Sequence, residues 1–131
     1  MDQKTDIYGV EKWGTDYVTT LPNGNLGLCH PANPDSPPVD MTLILENLTH
    51  RGISAPILLR VSNFLQHRIE QINTAFQGAI EELDYQGRYQ GVFPIKVNQQ
   101  AQVIERIVNF GRPFEFGLEV GSKAELLIAL S

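Results

Sequence analysis

A chain of 131 residues is the size of one ordinary domain, and 42% hydrophobic against 19% charged residues argues for a soluble globular protein rather than a disordered one. The net charge of −5 gives no footing for nucleic acid or an anionic membrane, and no apolar run is long enough to span a bilayer. Cys29 is the sole cysteine, which excludes an internal disulfide and fits a reducing cytoplasm; the start MDQKTDIYG lacks the apolar core of a secretion signal.

Residues 1–6 are polar. From Tyr8 to Leu28 aromatic and β-forming residues are interrupted by Pro22-Asn23-Gly24-Asn25, and Asn-Gly between short apolar stretches predicts a hairpin near 16–21 and 26–29. His30 to Asp40 carries four prolines among Asn, Asp and Ser and reads as a semi-rigid linker. Asp40 is placed to cap a helix bearing Leu43, Ile44, Leu45 and Leu48, with Gly52 just beyond its end. Pro56 to Val61 predicts a short apolar strand. A long helix then starts at Ser62 or Asn63, because Leu65, Ile69, Ile72, Phe76, Ile80 and Leu83 recur at spacings of three and four and form one apolar stripe. Gly87 closes this segment. His30, His50 and His67 have no metal-ligand spacing with one another or with Cys29, and no metal site is expected from them.

The stretch 91–100, GVFPIKVNQQ, predicts a buried strand that delivers Lys96 to its end. Alternation puts Phe93, Ile95 and Val97 on one face and Val92, Pro94 and Lys96 on the other. Two readings of Lys96 stand side by side. Its stem packs on apolar neighbours while the amine reaches water, or it is a catalytic amine. Asn98 and Gln99 line the same end or cap the next helix, which carries Val103, Ile104, Ile107 and Val108 and ends at Gly111. A second strand spans Phe114 to Val120, with Glu119 on the polar parity near its C-terminal end. Ser122-Lys123-Ala124-Glu125 opens a further helix with capping-box spacing, which by itself accounts for Glu125. Strand and helix alternate from residue 56 onward, the pattern of a parallel α/β architecture. If such a sheet curls into a barrel, Lys96 and Glu119 point into its mouth at the end where barrel enzymes react.

The wording of these segments adds a resemblance. YQGVFPIKVNQQ at 89–100, YGVEKWG at 8–14, PILLRVSNFLQHRI at 56–69 and FGLEVGSKAELLIAL at 116–130 are similar, in that order, to the biosynthetic arginine decarboxylases, pyridoxal-phosphate enzymes of the alanine-racemase-like barrel group. The resemblance implies an N-terminal portion of a PLP-binding (β/α)8 barrel preceded by a short antiparallel hairpin, with 1–38 as hairpin and Pro-rich linker and 39–131 as the first βα units. It implies that Lys96 forms the Schiff base with pyridoxal 5'-phosphate, that Glu119 is catalytic, and that Glu125 contacts the cofactor. It further implies decarboxylation of L-arginine to agmatine in spermidine biosynthesis, use of magnesium, and a cytoplasmic homo-oligomer whose active sites form between subunits.

A barrel of this class takes about 250 residues, so the expectation is an N-terminal piece, inactive alone. Two alternatives are a truncated non-catalytic paralogue that binds and regulates a full-length subunit, and another decarboxylase or racemase of the same fold group.

Overall fold

The computed structural model describes residues 7–131; the polar stretch 1–6 lies outside the described residues. Two compact units are present, one reaching Phe64 and the other Leu65–Ser131. In the first, a single helical turn, α1 (Val10–Trp13), leads into the antiparallel pair β1 (Val18–Thr20) and β2 (Leu26–Leu28), with Val18 opposite Leu28. The expected hairpin is therefore present. Its loop closes through Leu21 N–H to Asn25 O at 2.8 Å and Gly24 N–H to Leu21 O at 2.9 Å. Gly24 takes φ +87°, a conformation open to glycine and strained for a side chain. Tyr17 is buried and its ring tilts against Phe64 at a centroid distance of 4.6 Å.

The linker reading of 30–40 needs correction at its end. Val39–Asp40 forms a third strand, β3, antiparallel to β2, with Gly27 opposite Asp40. It is short and follows Pro37-Pro38, which donate no backbone hydrogen bond, so neither length nor periodicity marks it. Asp40 is also the N-cap of α2 (Met41–His50), accepting from Thr42 N–H at 2.8 Å. Its other oxygen accepts from the Asn25 and Asn23 side-chain amides at 2.9 and 3.1 Å. One carboxylate thus joins the hairpin loop to the start of a helix. At the far end of α2, Gly52 (φ +79°) lets Ile53 N–H reach Leu48 O at 2.9 Å, a Schellman closure.

The apolar run 56–61 is not a paired strand in this structure. Leu58 is 72% exposed, and the run passes directly into α3 (Ser62–Glu82). A strand is defined by a ladder partner, which composition does not supply. α3 stops earlier than Gly87 suggested. Asp84, at φ +47°, takes the left-handed position, with Tyr85 N–H bonded to Ile80 O at 2.9 Å.

The second unit contains β4 (Val92–Pro94), α4 (Ala101–Gly111), β5 (Gly117–Glu119) and α5 (Lys123–Leu130). β4 and β5 are parallel with α4 as their crossover, so this is a βαβ unit as the alternating pattern predicted. β5 is shorter than the expected 114–120. Arg112–Phe114 continues α4 as a 3-10 turn around Pro113, and Glu115 sits at φ +54°, so extended backbone begins only afterwards. Arg88 Nη1 holds the Glu115 carboxylate at 3.1 Å, and Gln90 Nε2 donates to Glu115 O at 3.1 Å. The stripe on α3 is only partly buried: Ile69 is at 5% exposure, whereas Phe76, stacked on Tyr89 at 3.9 Å, is at 49%.

Among the described residues the buried apolar side chains are Val10, Tyr17, Ile69, Ile95 and Ile107, a small core for this length. Leu58, Leu83, Leu127 and Leu130 each stand more than two-thirds exposed, and α5 is apolar on every side without burying a residue. A helix apolar all round belongs in an interior. No described helix is long and apolar enough to cross a membrane. The 131 residues produced alone are therefore expected to self-associate; size-exclusion chromatography with light scattering checks this, and a monodisperse monomer contradicts it.

Asp40 gives a second prediction. The amides of Asn25 and Asn23, then the Thr42 N–H, hold its carboxyl below the usual 3.8. Because the folded form favours the ionised group, its stabilisation is complete above the unfolded pKa and is lost as pH falls through the lower folded value. Asp40→Ala should speed amide exchange at Thr42 and lower the melting temperature at pH 7, and the difference from wild type should shrink well below pH 3.8. Equal exchange at pH 7 would show that the carboxylate holds nothing.

Candidate functional site

The site is built where β4 ends. Val92, Phe93 and Pro94 lie opposite Gly117, Leu118 and Glu119. Pro94 cannot donate to a ladder, and the chain tightens at once into a 3-10 turn, Ile95–Val97, closed by Asn98 N–H to Ile95 O at 3.1 Å. Ile95 is 1% exposed and anchors the turn, while Lys96 and Val97 are left outside. Full burial of such a side chain contributes about 1.5–3 kcal/mol relative to exposure. This corrects the alternation expected of a continuous strand, in which Ile95 and Val97 share a face. Lys96 is placed by a turn after the strand and not by strand parity.

Asn98 follows with its Oδ1 accepting from Gln100 N–H at 3.0 Å, so it shapes the entry into α4. Gln99 is exposed and lines a cavity of about 340 Å3 with Ile95, Ile104, Leu118 and Ile128. A cavity of about 560 Å3 between α3 and the segments at 88–89 and 113–115 lies away from Lys96, so concavity alone does not find the lysine.

Glu119 ends β5 half-buried and level with Pro94. Lys96 and Glu119 thus come to the same end of the parallel pair. Among the described residues no ion pair joins them. Glu125 is in the first turn of α5, which packs against the 3-10 turn. Ser122 Oγ accepts from Glu125 N–H at 3.2 Å, and Glu125 Oε2 accepts from Gly121 N–H at 2.6 Å. The capping-box reading of this residue is present in the structure, its return bond shifted one residue upstream. A Cβ on Gly121 would lie 3.4 Å from Glu125 Oε2 and 3.7 Å from Glu119 Oε1, so two carboxylates flank one glycine. Lys123, beside them in sequence, is exposed. Among the described residues no three of His, Cys, Asp and Glu gather as a metal site. An exposed primary amine at a strand end is a group of the kind that could hold an aldehyde cofactor. Cys29, the one thiol, is held protonated more firmly by burial and then by Asp16, which does not favour nucleophilic use.

Sequence reasoning missed the Asp40 clamp and the Arg88–Glu115 pair. Each joins residues far apart in the chain, and no spacing rule marks such pairs.

No protein-family model matches the chain. It is 45% identical over 125 residues to the biosynthetic arginine decarboxylase of Prochlorococcus marinus (strain MIT 9303), covering 95% of this chain and 19% of that protein. To the enzymes of that name from Gloeobacter violaceus and Geotalea daltonii it is 40% and 43% identical over 131 residues, covering 100% of this chain and 20% of each. The crystal structure of the biosynthetic arginine decarboxylase SpeA from Campylobacter jejuni superposes with a TM-score of 0.83 at 33% identity, over 95% of this chain and 20% of that one. Over its whole length the chain is similar to proteins named biosynthetic arginine decarboxylase, and it spans about a fifth of the length of the relatives it matches.

Proposed function

We propose that this chain supplies the cofactor-bearing lysine of a PLP-dependent arginine decarboxylase. The observation that carries the reading is Lys96, exposed on a 3-10 turn at the C-terminal end of a parallel strand, with Glu119 ending the neighbouring strand. Parallel-barrel enzymes react at that end. In this reading the βαβ unit from β4 to β5 opens a (β/α)8 barrel, and residues 39–131 are its first βα units. The relatives' names support arginine as substrate and CO2 and agmatine as products.

Lys96 Nζ would be the group that holds the cofactor, its exposure on the turn leaving the amine accessible to an aldehyde. Glu119, half-buried, ends the neighbouring strand at the same end, where its carboxyl group would face the substrate side of the lysine. Pyridoxal phosphate, when bound, supplies the electron sink for the pair left as the carboxylate departs. Glu125 serves first as the cap of α5, keeping Gly121 and the loop after Glu119 in place. In this reading the remaining contacts to phosphate and pyridine nitrogen would be supplied from outside residues 7–131.

Borohydride reduction of the complete enzyme carrying this segment should fix the cofactor to the peptide containing Lys96, and Lys96→Ala should abolish both labelling and turnover. Label on Lys123 instead would remove the assignment. Ser122→Ala should cost about 0.5–2 kcal/mol of stability with little change in kcat. Glu125→Gln should be nearly silent, since glutamine also serves in a capping box. Glu119→Gln should leave the melting temperature near wild type and reduce kcat. Melting curves beside steady-state kinetics decide among the three; unchanged kinetics in Glu119→Gln with a clear loss in Glu125→Gln would reverse the roles of the two acids.

A further inference from the structure

Phe116 stands immediately before β5, and its side chain lies against two glycines from different elements. A Cβ built on Gly111, the last residue of α4, would stand 2.6 Å from Phe116 Cβ and 3.2 Å from Cγ. One built on Gly91, just ahead of β4, would stand 2.5 Å from Cδ2 and run into Cε2. Neither glycine has a positive φ, so backbone conformation does not call for glycine at either place. Space does. Both glycines are buried. Two backbone bonds meet at the same point: Phe116 N–H to Gly111 O at 3.1 Å and Gly117 N–H to Gly91 O at 2.9 Å. The second of these starts the β4–β5 ladder.

We propose that Phe116, seated in the space left by Gly91 and Gly111, is a positioning residue that fixes the register of β5 against β4, and with it the level of Glu119 relative to Lys96. The proposal rests on the reading of Lys96 as the cofactor lysine. The ladder alone fixes the register weakly, because each strand is 3 residues long and Pro94 has no N–H to contribute. A two-residue slip keeps every side chain on its own face, so alternation does not oppose it. Such a slip would carry Glu119 about 7 Å along the sheet. A side chain seated on a glycine from each side of the crossover allows one register only.

The test uses the complete enzyme with Gly91→Ala, Phe116→Leu and the two combined. Gly91→Ala should lower kcat by about 10- to 100-fold, the loss that small displacements of reacting groups bring, with a lesser change in KM for arginine. At limiting pyridoxal phosphate it should also lower the fraction of Lys96 fixed by borohydride. The combined variant should recover much of both losses, since leucine has no ring edge for the new methyl to meet. Phe116→Leu alone keeps the backbone free of any clash and should show a smaller loss of the same kind, which maintains the test if Gly91→Ala does not fold. A fall in melting temperature with kcat and labelling unchanged in the folded variants would overturn the proposal, as would a combined variant no better than Gly91→Ala. Failure of unmodified enzyme to label at Lys96 is a separate outcome, visible without any variant, and would remove the underlying reading together with the proposal.

Discussion

Ile95 enters the interior directly after a proline that ends the ladder, and this constraint decides where the Lys96 amine goes. Had the strand continued, Lys96 would have taken the face opposite Ile95 and its exposure would depend on whatever layer covered that face. A 3-10 turn repeats every three residues, so one buried position leaves the next two outside. Burial of an apolar side chain and presentation of a charged one are met within two consecutive residues. Neither then requires a charge to be desolvated.

Much of the fold was legible where local chemistry decides structure. The hairpin, the Asp40 cap, the Gly52 closure, α3 and the Ser122–Glu125 box follow from turn residues, caps and apolar period, and each is present. What was not legible depended on partners distant in sequence. Residues 56–61 have the composition of a strand but no neighbour in this structure, and Val39–Asp40 has a neighbour but not the length that would announce it. For the candidate site, the lysine and both acids were named from sequence as candidates, and the structure places them toward one end of the β4–β5 unit. The route by which Lys96 arrives there, a turn and not strand parity, was hidden because Pro94 admits a strand end and an edge strand equally.

The distribution of burial says something about dependence. Side chains chosen by period to face an interior, such as Phe76 on α3 and Leu83 just after it, remain substantially in contact with solvent, while the described core is small. The local signals for these elements are nonetheless consistent with one another, which is what a foldable sequence requires. The energetic reward for obeying them lies in surfaces that these residues do not provide to each other.

The 3-10 turn also carries a consequence for how this segment tolerates change in length. One residue inserted between Ile95 and Lys96 would rotate the amine by about 120° and advance it by about 2 Å, enough to turn it from the open side toward the packed side. The stretch between α3 and β4, largely exposed from Asp84 to Arg88, has no such angular bookkeeping and accepts insertions as surface loops do. Length variation among descendants of this sequence should therefore gather before the strand, and the spacing from Pro94 to Asn98 should act as a ruler that drift leaves alone.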